Sequence, residues 1–161
     1  LRTFHHHIDL LRIPVGMYLV YLIYAGLMPF DFRFTLAELK SEMALNNLVP
    51  FYAYFKSASL FHIADLVNGL VSFMPVTLYW SARLRARGLN FSDIYPRTVL
   101  AGLALGLFIE LAQLFSPARV AEITDVLNFA LSGGLGTWVL RYYETEVRPQ
   151  LALYRQGLIR L

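Results

Sequence analysis

The sequence predicts an all-α fold: a polytopic membrane protein built as a four-transmembrane-helix bundle, with a short outer amphipathic helix and a C-terminal interfacial helix. Two observations carry this. The first is composition, 57% hydrophobic and only 16% charged residues over 161 positions, against about 45–50% and about 25% in soluble domains. The second is the distribution of the apolar residues, which gather into four stretches near the length of about 20 residues that a helix needs to cross a hydrocarbon core.

The first stretch runs from Ile13 to Met28, is extended by Leu10 and Leu11, and is closed by Pro29. Arg2 and Arg12 precede it as in a signal peptide, but no A-x-A-like cleavage site follows, so a retained span is expected. The second covers Leu60 to Trp80, the third Thr98 to Ser116, and the fourth Thr124 to Tyr142. Pro75 is expected to kink the second. Between the first two, Thr35 and Glu38 form a T-x-x-E capping box, and Leu36, Leu39 and Met43 share one face, which predicts the short amphipathic helix. Phe51, Tyr52, Tyr54 and Phe55 follow, an aromatic density suited to a membrane interface. Beyond the fourth span, Leu151, Tyr154, Leu158 and Ile159 form one face with Arg155 and Arg160 off it, a basic amphipathic helix expected on the membrane surface. No internal repeat or linker divides the chain, so residues 1–161 are read as a single domain.

Orientation follows from the basic residues. Ten of the fourteen fall on one side: Arg2 and Arg12, then Arg83, Arg85, Arg87 and Arg97, then Arg141, Arg148, Arg155 and Arg160. Arg33, Lys40, Lys56 and Arg119 fall on the other. The positive-inside rule then places both termini in the cytoplasm and the first and third loops outside. The net charge of +3 is thus a topology signal, and no nucleic-acid partner is expected. His5, His6 and His7 read as a tag remnant or a solvated terminal segment.

Acids inside spans are costly, about 2.5–3.5 kcal/mol each on insertion scales, and three occur here in one local pattern. Asp65 precedes Asn68, Glu110 precedes Gln113, and Asp125 precedes Asn128, each pair three residues apart and so on one helix face. At a rise of about 1.5 Å per residue, Asp65 and Glu110 lie about 8 and 9 Å below the outer surface. Asp125 and Asn128 occupy the first turns of the fourth span, and Arg119 is the cation in the adjoining turn. Two readings apply: the groups lock the bundle through interhelical hydrogen bonds and a pair from Arg119 to Glu110 or Asp125, or they line a polar cavity open to the outer leaflet. Asp125 also suits a helix N-terminus. Gly102 and Gly106 form G-x-x-x-G, and Ser132 and Gly136 its small-residue equivalent beside Gly133 and Gly134, so these six are assigned to helix packing.

The order NNLVPF (Asn47, Pro50, Phe51), D-x-x-N, Pro75, E-x-x-Q, S-P-x-R, D-x-x-N and the Gly133–Gly134 pair resembles the VanZ-like family of small bacterial membrane proteins, most strongly over residues 46–136. That family takes its name from a protein associated with teicoplanin resistance. The resemblance implies a cell-envelope protein of the bacterial inner membrane, connected with antibiotic resistance, and supplies no mechanism.

The leading expectation is a non-enzymatic protein with an outward-facing pocket, lined by Asp65, Asn68, Glu110, Gln113, Arg119, Asp125 and Asn128, for a lipid-linked envelope precursor or a glycopeptide-like amphiphile. A second is an accessory subunit in a larger membrane complex, suggested by the small size and by Tyr18, Tyr21 and Tyr24 on the first span. A third is an enzyme acting on a lipid-phosphate or glycosyl substrate, since two carboxylates can divide acid and base roles and an arginine can stabilise phosphate charge. The chain has no cysteine, and its spans hold no histidine paired with a serine; His62 near the outer surface reads as an interfacial residue. No catalytic residue, metal or cofactor is assigned. Membrane lipids are the expected surroundings.

Overall fold

Helix is the only regular structure among the described residues. The structure, a computed structural model, describes residues 10–34, 49–52 and 60–159, except the side chains of 61, 62, 65 and 155–159. In order these form α1 (Arg12–Leu27), α2 (Leu60–Ser72), α3 (Met74–Ala86), α4 (Phe91–Gln113), α5 (Ile123–Tyr142), a π-helical turn (Tyr143–Val147) and α6 (Arg148–Ile159). The amphipathic helix expected from Thr35, the residues Asn47, Tyr54 and Phe55, and the N-terminal histidines lie outside the described residues.

Local sequence explains where the helices stop. α1 ends because Met28, ahead of Pro29, is extended at φ −66° and ψ 138°, the region to which a following proline directs a residue. The stretch from Leu60 to Trp80 is not one helix. Pro75, second in α3, has no N–H to give and its ring conflicts with the carbonyl one turn back, so the chain breaks at Phe73 into two helices of 13 residues. The Tyr18 hydroxyl of α1 donates to the Ser72 carbonyl at that break, 2.8 Å away. α3 closes on Gly88 at φ +90°, with the Leu89 N–H bonded to the Leu84 carbonyl at 3.2 Å, a left-handed cap that glycine adopts without strain. α4 then starts seven residues before the expected Thr98, at an extended Asn90, with Asp93 in its first turn. That acid complements the positive end of the helix, so the apolar run alone underestimated the helix.

Among the described residues, α4 is the helix long and apolar enough to cross a membrane, and α1 is apolar but shorter. α5 is the hub: it packs along α4 and also against α2 and α3, while α1 lies against α3 and α4.

The α4–α5 contact is made at backbone distance. A Cβ on Gly102 would overlap the Phe129 carbonyl oxygen, and one on Gly133 would overlap that of Thr98. On the α3 side, a Cβ on Gly136 would overlap Thr77 Oγ1. Where helices come this close, small groups line the contact, and beside Ile94, Ile109 and Leu140 the interior is rich in hydroxyls. Thr77, Ser81, Thr98, Ser132 and Thr137 are all buried. The Thr98 and Thr137 hydroxyls bond at 2.7 Å, and Thr137 and Ser81 at 2.8 Å, joining α4, α5 and α3 in one chain. Many large apolar side chains point outward: Ile13, Met17 and Val20 on α1, Leu100 and Phe108 on α4, and Leu131 and Trp138 on α5 are all more than half exposed.

Gly133→Val is expected to destabilise the protein by about 3 kcal/mol or more, the upper range for overpacking. Ser132→Ala is expected to be neutral or stabilising, because the buried Ser132 Oγ has no partner among the described residues and leaving out an unpaired polar group removes a penalty. Unfolding in detergent micelles measures both.

Candidate functional site

The end of the bundle where α4 turns into α5 gathers most of the polar residues singled out above. Glu110, in the last turn of α4, is 7% exposed. Its Oε2 accepts the Glu122 backbone N–H at 2.7 Å, just ahead of α5. That amide is one of the donors a helix start leaves without an intrahelical partner. Glu122, Asp125 and Arg119 are the charges that act on the Glu110 carboxyl.

Gln113, one turn beyond, is also buried, and its Nε2 donates to the Gly26 carbonyl of α1 at 2.8 Å. Arg119 joins the same helix end: Nε donates to the Met28 carbonyl at 2.8 Å and Nη2 to the Ala25 carbonyl at 3.3 Å. The last carbonyls of a helix carry the negative end of its dipole and have no intrahelical donors, so an arginine is well matched to them. The direct Arg119–Glu110 bond considered from sequence is not formed; each group bonds to backbone instead.

Further residues complete this end, Phe51 and Ser116 from the motifs named above and Asp31 and Phe115 that sequence reasoning passed over. The Ser116 hydroxyl donates to Asp31 Oδ1, and the Arg33 N–H donates to the Phe115 carbonyl at 2.7 Å. The Phe51 N–H reaches Thr124 Oγ1 at 2.8 Å. Rings run from Tyr24 through Phe30, Phe32 and Phe34 to Phe115, at centroid separations between 5.0 and 6.4 Å. Phe30 and Phe51 hold positive φ, 66° and 61°, a conformation costing a side-chain-bearing residue about 1–2 kcal/mol. In sequence the density of Phe and Tyr and the NNLVPF and S-P-x-R motifs pointed to this region, but not to the bonds that join it.

The three acid–amide pairs are not equivalent. Asn128 is 2% exposed, faces Gly69 of α2, and leaves its Oδ1 with no hydrogen-bond partner among the described residues. Asp125 is partly exposed and Asn68 exposed, while the Asp65 side chain lies outside the described ones. No group of three or more potential metal ligands occurs among the described residues.

A bundle with hydroxyls and close backbones inside and Leu, Phe and Tyr outside has the distribution of a helical membrane protein, where lipid removes the hydrophobic reason to bury large side chains. The comparison with known families agrees. The chain belongs to the VanZ/LLP1 family, whose sequence pattern matches residues 15–144, and VanZ proteins are membrane proteins. No curated protein and no solved structure matches the chain.

Gln113→Leu is expected to cost about 1–3 kcal/mol, the penalty for leaving the Gly26 carbonyl without its donor, and to loosen the segment after α1. Because the chain has no cysteine, maleimide labelling of a single Phe32→Cys reporter measures that loosening as a faster rate. Glu110→Gln keeps an oxygen acceptor for Glu122 and is expected to leave the rate unchanged.

Proposed function

We propose that this chain is a non-enzymatic, multi-pass protein of the bacterial cytoplasmic membrane, with both termini cytoplasmic, whose α4–α5 end faces outward and binds a lipid-linked envelope precursor or a related amphiphile. The observation that carries the reading is Asn128 Oδ1, a buried acceptor with no partner among the described residues. Buried polar groups are nearly always satisfied, so an orphan at this end of the bundle is a place for a ligand donor. Glu110, in the last turn of α4, is a second buried acceptor toward this end, and Arg119 is exposed with Nη1 left to meet a phosphate, as arginines commonly do. The aromatic cap from Tyr24 to Phe115 offers an apolar surface for an acyl or prenyl chain. The ten-to-four division of basic residues supports the orientation.

A second reading, an accessory subunit of a larger complex, is favoured by one specific observation. Gln113 and Arg119 are both bonded to the carbonyls of α1, which suits a clamp holding α1, and α1 exposes Tyr21 and Tyr24 as a face for another chain.

Asn128→Leu separates the readings. Binding of undecaprenyl phosphate in detergent is expected to weaken by about tenfold or more, as for loss of a hydrogen bond worth about 1.4 kcal/mol, while thermal stability holds or rises. Arg119→Ala is expected to weaken binding as well. Unchanged binding in both, with stoichiometric copurification of another membrane protein, selects the subunit reading.

Orientation has its own check. Ala118 and Gln150 are both exposed, and each is replaced singly, as Ala118→Cys or Gln150→Cys, in the cysteine-free chain. An impermeant maleimide is expected to label the first from outside intact cells and the second only after lysis. The reverse pattern overturns the proposed topology.

A further inference from the structure

Where α5 ends, the helix changes its winding, and the change builds a groove. Tyr143–Val147 is a π-helical turn between α5 and α6, whose hydrogen bonds close over five residues where those of an α-helix close over four. In an α-helix, residues i and i+4 stand about 40° beyond one full turn, because 3.6 residues complete it. In three such steps Trp138, Tyr142, Glu146 and Gln150 would wind by about 120° around the surface. A π turn takes up more residues per turn, so the steps that cross it fall back and the row keeps to one face. These four side chains, with Arg141 and Thr145, line a groove of about 530 Å³. Single π turns inside α-helices are frequent at functional sites.

Three kinds of contact stand side by side in the groove. The Trp138 and Tyr142 rings stack with centroids 5.8 Å apart and 18° between their planes, and both are more than half exposed. Arg141 and Glu146, exposed on the same face, supply one charge of each sign, while Glu144 of the same turn is engaged by Arg85 at 3.0 Å. The Thr145 hydroxyl donates to the Arg141 carbonyl at 3.0 Å, which fixes its oxygen and leaves it lone pairs to accept a further hydrogen. The groove also has a defined level. A Cβ on Gly134, one turn before Trp138, would stand 3.0 Å from the Tyr95 hydroxyl, so this end of α5 lies beside the start of α4, the helix long and apolar enough to cross a membrane. Tyr and Trp favour the headgroup level of a bilayer.

We propose that this groove binds the headgroup of a phospholipid with a primary ammonium, of the phosphatidylethanolamine type, its phosphate on Arg141 and its ammonium between Glu146, the Thr145 hydroxyl and the stacked rings. A guanidinium bonds phosphate through directed N–H donors, and an ammonium is drawn to the face of an aromatic ring as well as to a carboxylate. The presence of both signs decides among headgroups. A purely anionic headgroup meets Arg141 but is repelled by Glu146, and a choline headgroup has no N–H to donate to Glu146 or Thr145. The site lies at the opposite end of α5 from Asn128. It rests on the chain being a membrane protein and not on the ligand proposed for that other end.

The test uses the full chain reconstituted in phosphatidylcholine vesicles, with Trp80→Phe leaving Trp138 as the sole tryptophan. Phosphatidylethanolamine brominated on its acyl chains is expected to quench Trp138 fluorescence at lower mole fraction than equally brominated phosphatidylcholine or phosphatidylglycerol. Glu146→Gln is expected to weaken the preference over phosphatidylcholine by about fivefold, as for one charged contact at a membrane surface, and Glu146→Asp to retain most of it. Arg141→Gln is expected to weaken it by a similar factor, whereas Arg148→Gln, outside the groove, is expected to leave it unchanged. Residues 141, 146 and 148 are all exposed, so no core contact is lost, and circular dichroism in the same vesicles verifies the helical fold of every variant. Equal quenching by the three lipids overturns the proposal and leaves the rings as interfacial anchors alone. A preference for phosphatidylglycerol that Glu146→Gln does not change also overturns it, because the groove would then recognise only an anion. So does an equal loss in Arg148→Gln, which would reduce the effect to net charge.

Discussion

The backbone contact between α4 and α5 sets the rest of the structure. The carbonyls of Phe129 and Thr98 occupy the places where side chains of Gly102 and Gly133 would be, so the two helices have one register and no room to slide. From that contact the pairs proceed along the antiparallel helices in both directions. Toward one end Thr98 meets Thr137; toward the other Gly106 meets Val126, and a turn later Glu110 meets the Glu122 amide. The Glu110 bond is therefore a consequence of glycines two and three turns away. A slip of one residue would turn both the hydroxyl chain and the carboxyl off their partners.

This contact also explains why the molecule is apolar outside and hydroxyl-rich inside. In water, large side chains outside would cost far more than a few interhelical hydrogen bonds return. In lipid that term vanishes for the outer face, and close packing with about 0.6 kcal/mol per interhelical hydrogen bond becomes a sufficient source of cohesion. Thr77, Thr98 and Thr137 each also reach a carbonyl of their own helix, so an approach of backbones does not leave their hydroxyls stranded. Family membership and side-chain distribution thus lead to the same environment by separate routes.

Much of this was legible in sequence because it depends on patterns that survive in one dimension. Apolar runs located α1, α4 and α5, and Pro75 marked the break between α2 and α3. The start of α4 was misjudged because the apolar run begins at Thr98, whereas the helix is set by Asn90 and Asp93. The three acid–amide pairs were legible as a pattern, but their partners were not. Glu110, Gln113 and Arg119 all bond to backbone groups, and a backbone amide or carbonyl has no letter in a sequence. The same is true of the cap made by Asp31, Phe51 and Thr124, whose members are far apart along the chain and individually ordinary.

The partners found for the arginines also change what their distribution means. Arg119 stood among the four basic residues of the outer side, yet its bonds to Ala25 and Met28 give it an architectural reason to be there: it neutralises the negative end of α1. Arg85, among the ten of the other side, has a comparable reason in Glu144. Neither arginine therefore needs the membrane's orientation to explain where it stands. A cation that caps a helix end is tolerated on either side of a membrane because its charge is met within the protein.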